Sequence, residues 1–125
     1  MPRFGTAITC IDGRVQEPVT QWVRDRFLVD YVDMVTEPGP DLAVAHGASD
    51  LVETLRRKVL ISVDAHGSTV VVVAGHHDCA AHHVEKAQHV ADIRQAVQTV
   101  RGWNLSATLV GLWVGEDRTV EVVAQ

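Results

Sequence analysis

The stretch STVVVVA, Ser68–Ala74, constrains the fold more than any other part of this chain. Its valines follow one another without polar alternation, so neither face of such a strand is left for water. A run of this kind fits a strand buried on both faces, as in a parallel sheet covered by helices on each side. It is too short for a membrane: the longest apolar stretch, Val70–Gly75, is strand-sized, against the ~20 residues a bilayer requires.

The flanking patterns agree with an open sheet. Phe4–Thr9 is apolar and β-prone and predicts a first strand ending at Cys10. Glu17-Pro18 starts a predicted helix with Val19, Trp22, Val23 and Arg26-Phe27 at helical spacing. Tyr31–Val35 reads as a short second strand, and a Pro-Gly-Pro turn at 38–40 is expected to stop regular structure. Ser49–His66 carries Leu51, Val52, Leu55, Val59, Leu60 and Val63 on a 3.6 period, with Gly67 placed to end it. Beyond the valine run, Asp78–Arg101 predicts one long helix, capped by Asp78, with Val84, Ala87, Ala91, Val97 and Val100 inward. Ala107–Val114 and Thr119–Val123 form a hairpin around Gly-Glu-Asp (115–117). The expected fold class is α/β: one domain over 1–125, with a mostly parallel central β-sheet flanked by helices and an antiparallel C-terminal edge strand.

Charge narrows the partners. The formal charge is −5 and no basic run offsets it, so nucleic acid is not expected, because phosphate binding needs clustered Lys and Arg. The start MPRFGTAIT lacks the pattern of a secretory signal, which points to a cytoplasmic protein with no membrane partner. In that setting Cys10 and Cys79 are read as thiols for metal ligation or chemistry, not as a disulfide.

In open α/β sheets ligands bind beyond the carboxyl ends of the strands. Cys10, Asp12 and Arg14 follow the first strand; His76 and Cys79 follow the valine strand. Two thiolates and an imidazole are a borderline-soft set that suits Zn2+, and such a set with an open fourth position is a catalytic arrangement. A helix N-terminus at Asp78 would stabilise the Cys79 thiolate. Asp12 can accept a proton or hydrogen bond from a bound water, or take the fourth position itself. Arg14 can hold it ionised through a bidentate fork.

Cys10-Ile11-Asp12-Gly13-Arg14 and Gly75-His76-His77-Asp78-Cys79 together resemble the paired signature of β-class carbonic anhydrases. The resemblance extends through the strand contexts and closing hairpin over nearly the whole chain. It implies Zn2+ held by Cys10, His76 and Cys79, with Asp12 and Arg14 as a catalytic dyad. It further implies reversible hydration of carbon dioxide to bicarbonate by zinc-bound hydroxide. A small sheet with a hydrophobic edge needs cover, so a homodimer or higher homo-oligomer is expected. The chain departs from that family in being short, in reading Thr36-Glu37-Pro38-Gly39 where an Arg-Asn-Ala-Gly type loop is usual, and in carrying Ala80 after the second cysteine. Two other functions stay open: hydrolysis of carbonyl sulfide or carbon disulfide on the same zinc site, and a non-catalytic zinc-binding protein of the same fold.

The remaining histidines are read as bystanders. His82, His83 and His89 are expected at the surface or an interface, His77 facing solvent or bonding nearby, and His46 outside the pocket on a segment able to fold over it. Trp22, Trp103 and Trp113 are read as core or dimer-contact residues.

Overall fold

The computed structural model describes residues 1–125. Five strands, β1 (Phe4–Thr9), β2 (Tyr31–Thr36), β3 (Val70–His76), β4 (Thr108–Val114) and β5 (Val120–Ala124), form one sheet in the order β2-β1-β3-β4-β5. The first four are mutually parallel, and β5 runs antiparallel to β4 at the edge. Four helices accompany them: α1 (Gly13–Phe27), α2 (Pro40–His46), α3 (Ser49–His66) and α4 (Lys86–Arg101). No helix is long and apolar enough to cross a membrane.

The valine run is buried along its whole length, as its composition predicts. Alternate side chains serve opposite layers. Val70, Val72 and Ala74 join Val15, Val19 and Val23 of α1 in one core. Val71 and Val73 join Leu55, Val59 and Val63 of α3, Ala43 and Val44 of α2, and Ala96 and Val100 of α4 in the other. A helix layer on each face is what leaves no polar face on β3.

Three local expectations are corrected. Helix α1 begins at Gly13 rather than Glu17, because Asp12 caps it: the Asp12 Oδ1 accepts the Arg14 backbone N–H at 2.9 Å. The Pro-Gly-Pro segment follows the end of β2 at Thr36, as expected, but its last residue already opens a helix. Gly39 takes the left-handed conformation at φ 57°, and Pro40 is then the first residue of α2, where a missing N–H costs nothing. The third correction bears on the site: α4 starts at Lys86, not Asp78. Residues 77–85 are irregular, and Asp78 sits at φ 57°, so it caps no helix. In consequence Val84, Ala87 and Ala91 are exposed, and the buried stripe of α4 is His89, Asp92, Ile93, Ala96, Val97 and Val100.

Candidate metal centre

β1 is flanked by β2 on one side and β3 on the other, so the chain reverses its winding direction there. The crevice at such a point, beyond the carboxyl ends of the strands, is where open sheets bind ligands. Cys10 leaves β1 at this crevice, and His76 is the last residue of β3. The Gln16 amide of α1 donates to the carbonyls of Cys10 at 3.2 Å and Ile11 at 3.3 Å, tying the β1–α1 turn down. On the other strand, the His77 N–H donates to the Val114 carbonyl at 2.9 Å, extending the β3–β4 pairing past His76.

Cys10, His76 and Cys79 converge. All three are buried, and one donor atom from each lies within 4.8 Å of the other two. Both cysteines are free thiols. The His76 Nδ1–H donates to the His77 carbonyl at 2.8 Å, which leaves Nε2 as the bare ring nitrogen. That Nε2 is buried with no hydrogen-bond partner. A buried, unpartnered imidazole nitrogen facing two thiols fits a soft divalent cation, whose charge two thiolates would neutralise. Burial pushes the His76 imidazole below its ordinary value, keeping it neutral as a ligand must be. Burial also pushes the Cys79 thiol up, with the nearby Cys10 adding to the effect, while the N–H groups of Ala81 and His82 oppose it. These turn N–H groups stand where a helix N-terminus was expected.

Asp12 and Arg14 lie at the rim. The Arg14 Nη2 meets the Asp12 Oδ2 at 2.7 Å, and Nε reaches both carboxylate oxygens, at 3.1 and 3.2 Å. Hydrogen bonding to Arg14 holds the Asp12 carboxyl well below the usual carboxylate range, and Asp12 in turn raises the guanidinium. Arg14 also reaches across to the other turn, meeting the Asp78 Oδ2 at 3.4 Å and the Asp78 carbonyl at 3.2 Å. Asp78 is thus a bridge between the turns that carry Cys10 and Cys79 and not a helix cap, a role that no sequence spacing marks. An open groove of about 710 Å³ runs along α1 and β2, and neither thiol nor His76 lines it.

A family model described as "Putative carbonic anhydrase" matches residues 1–124. The chain belongs to that carbonic anhydrase family. Its fold is that of β-carbonic anhydrases. It superposes on isoform I from the protozoan Trichomonas vaginalis with a TM-score of 0.63 and 18% identity, over 98% of this chain and 83% of that one. A tetrameric β-carbonic anhydrase from the ascomycete Sordaria macrospora gives a TM-score of 0.62 and 11% identity, over 97% of this chain and 80% of that one. No curated protein is significantly similar in sequence.

The bystander histidines of this carbonic anhydrase family member need correction. His82 and His89 are buried, not at the surface or an interface. His82 Nε2 pairs with Asp92 Oδ2 at 2.6 Å, and His89 Nδ1 with Asp41 Oδ2 at 2.6 Å. His46 is exposed yet meets the Asp92 Oδ1 at 3.2 Å. Trp113 is a core residue that packs on the His89 ring.

Proposed function

We propose that the chain is a zinc-dependent carbonic anhydrase that interconverts carbon dioxide and bicarbonate, with Cys10, His76 and Cys79 as its metal ligands. The convergence of these three side chains around the unpartnered His76 Nε2 carries the reading. When bound, zinc acidifies a water and so supplies a nucleophile for carbon dioxide at neutral pH.

The chain's own residues do the rest. The His77 carbonyl fixes the His76 tautomer and ring orientation, the outer-shell contact that metal-binding imidazoles require. Arg14 occupies both Asp12 oxygens, which favours Asp12 as a hydrogen-bond acceptor at the rim over Asp12 as a fourth ligand. An ionised Asp12 accepts a proton-bearing group and orients it toward the substrate. Arg14 positions Asp12, and Asp78 positions Arg14. One domain of this type spans residues 1–125 in a cytoplasmic enzyme. The partially exposed edge strand β2, with Tyr31 at its start, is a surface that a second copy would cover in a homodimer.

Stopped-flow carbon dioxide hydration by the zinc-loaded chain tests the reading. A rate well above buffer is expected between about pH 7 and 9. A zinc-loaded chain with no such rate would overturn it.

A further inference from the structure

We propose that Asp41, His82 and His89 form a second divalent-cation site, distinct from the thiol-bearing one, between α2, α4 and the end of β3. One carboxylate oxygen of Asp41 and one ring nitrogen from each histidine lie within 4.8 Å of one another. Modest torsional adjustment brings such donors to the roughly 3–3.5 Å spacing of an ion with bonds near 2.1 Å. The three residues come from separate segments: Asp41 from the first turn of α2, His82 from the irregular 77–85 segment, and His89 from the first turns of α4.

Two orphaned atoms point to a missing partner. Asp41 Oδ1 and His89 Nε2 are both buried without a hydrogen bond. Their residues are 0% and 1% exposed, and buried polar atoms of native proteins are seldom left so. The Asp41 carboxylate is wedged against the backbone of β3: a Cβ added to Gly75 would stand 2.8 Å from its Oδ2. That side of the carboxylate is closed to solvent.

Charge gives an independent reason. Asp41 and Asp92 are 0% and 2% exposed, and only imidazoles lie within ion-pair reach of either: His89 for Asp41, and His46 and His82 for Asp92. Two carboxylates buried without a lysine or arginine require compensation. One dication held by these residues can provide it.

The outer contacts are already those of a metal site. Asp92 binds the His82 Nε2 and so leaves Nδ1 as the ring nitrogen available to an ion. Asp92 is itself held by Gln88 at 3.1 Å and by His46 at 3.2 Å. Trp113 and the T-shaped His82–His89 contact wall the cluster in. Two imidazoles and a carboxylate, without sulfur, suit Zn2+, Co2+, Fe2+ or Mn2+, and they differ in spectroscopic character from the set with two thiolates.

Titration of the metal-free full chain with Co2+ separates the two sites. Two ions per chain are expected, of which only one gives the near-ultraviolet thiolate-to-cobalt band. Cys10→Ser/Cys79→Ser should keep one ion and lose that band, and adding His89→Gln should remove the remaining ion. In the otherwise native chain, His82→Gln should weaken the band-free ion at least tenfold and leave the thiolate band intact. That variant decides the matter if the double serine variant fails to fold by far-ultraviolet circular dichroism. Saturation of the native chain at one thiolate-bound ion overturns the proposal. So does a second ion that binds equally well after His82→Gln. Because counting bound cobalt does not need carbon dioxide turnover, an inactive enzyme would overturn the proposed activity and leave this result unaffected.

Discussion

Arg14 grips the Asp12 carboxylate at both oxygens, with its Nη2 2.7 Å from Oδ2 and its Nε 3.1 Å from Oδ1. The pair is local, two residues apart on the first turn of α1. The same guanidinium spans to Asp78 on the opposite turn, so one side chain couples the two halves of the centre.

Asp12→Ala should retain zinc and lose carbon dioxide hydration by about 10²-fold or more, as expected on removing a positioned proton acceptor. Cys79→Ser should instead lose zinc. Metal content and stopped-flow rates measured on the same preparations check both. Full metal content in Cys79→Ser would contradict the ligand assignment.

The Asp12 carboxyl is depressed by Arg14, so its folded value lies below the ~3.9 of an unfolded aspartate. Its contribution to stability is present in full above that unfolded value, and it is lost as pH falls through the lower folded one. Asp12 therefore stays ionised throughout the working range. Arg14→Ala returns the carboxyl toward its ordinary value, which is still ionised at about pH 6. The defect of Arg14→Ala should then be the same factor at about pH 6 and about pH 8, since the loss is one of orientation. A defect that disappears as pH is raised would show that Arg14 acts through ionisation instead.

Gly75→Ala should be destabilising by about 1–3 kcal/mol, because the new methyl overpacks the sheet–helix layer. Its Cβ would meet Ile93 Cδ1 at 2.9 Å and the Asp41 carboxylate at 2.8 Å. Urea unfolding measures the loss. An unchanged midpoint would mean that α4 and α2 shift freely from β3.

Two substitutions on α3 contrast burial on one helix. Leu55 is fully buried and Ile61 is 64% exposed. Leu55→Ala should cost about 2–5 kcal/mol through lost burial and a cavity. Ile61→Ala should fall within about 0.5 kcal/mol. Denaturant titration of both variants decides, and comparable losses would place Ile61 in an interface.

Much of the centre was legible without coordinates. The valine run required two covering layers, and C-x-D-x-R and H-x-x-C placed five candidate side chains at two strand ends. The start of α4 was not legible. Helical periodicity continues upstream of Lys86, but His82 is drawn inward to Asp92 and the chain turns at Asp78 with a positive φ. Proline at 40 read as a stop because sequence alone does not tell a terminating proline from one at the first helical position.

By itself the sequence determined the strand that must be buried on both faces, the donor types of the thiol-bearing centre, and the Asp12–Arg14 pair. Each depends on residues close together in the chain or on a composition that only one environment satisfies. Tertiary structure decided the fate of His46, His82 and His89. Whether an imidazole faces water or a buried carboxylate depends on which helix packs beside it. Asp41 meets His89 across 48 positions and His46 meets Asp92 across 46, separations that no local pattern records.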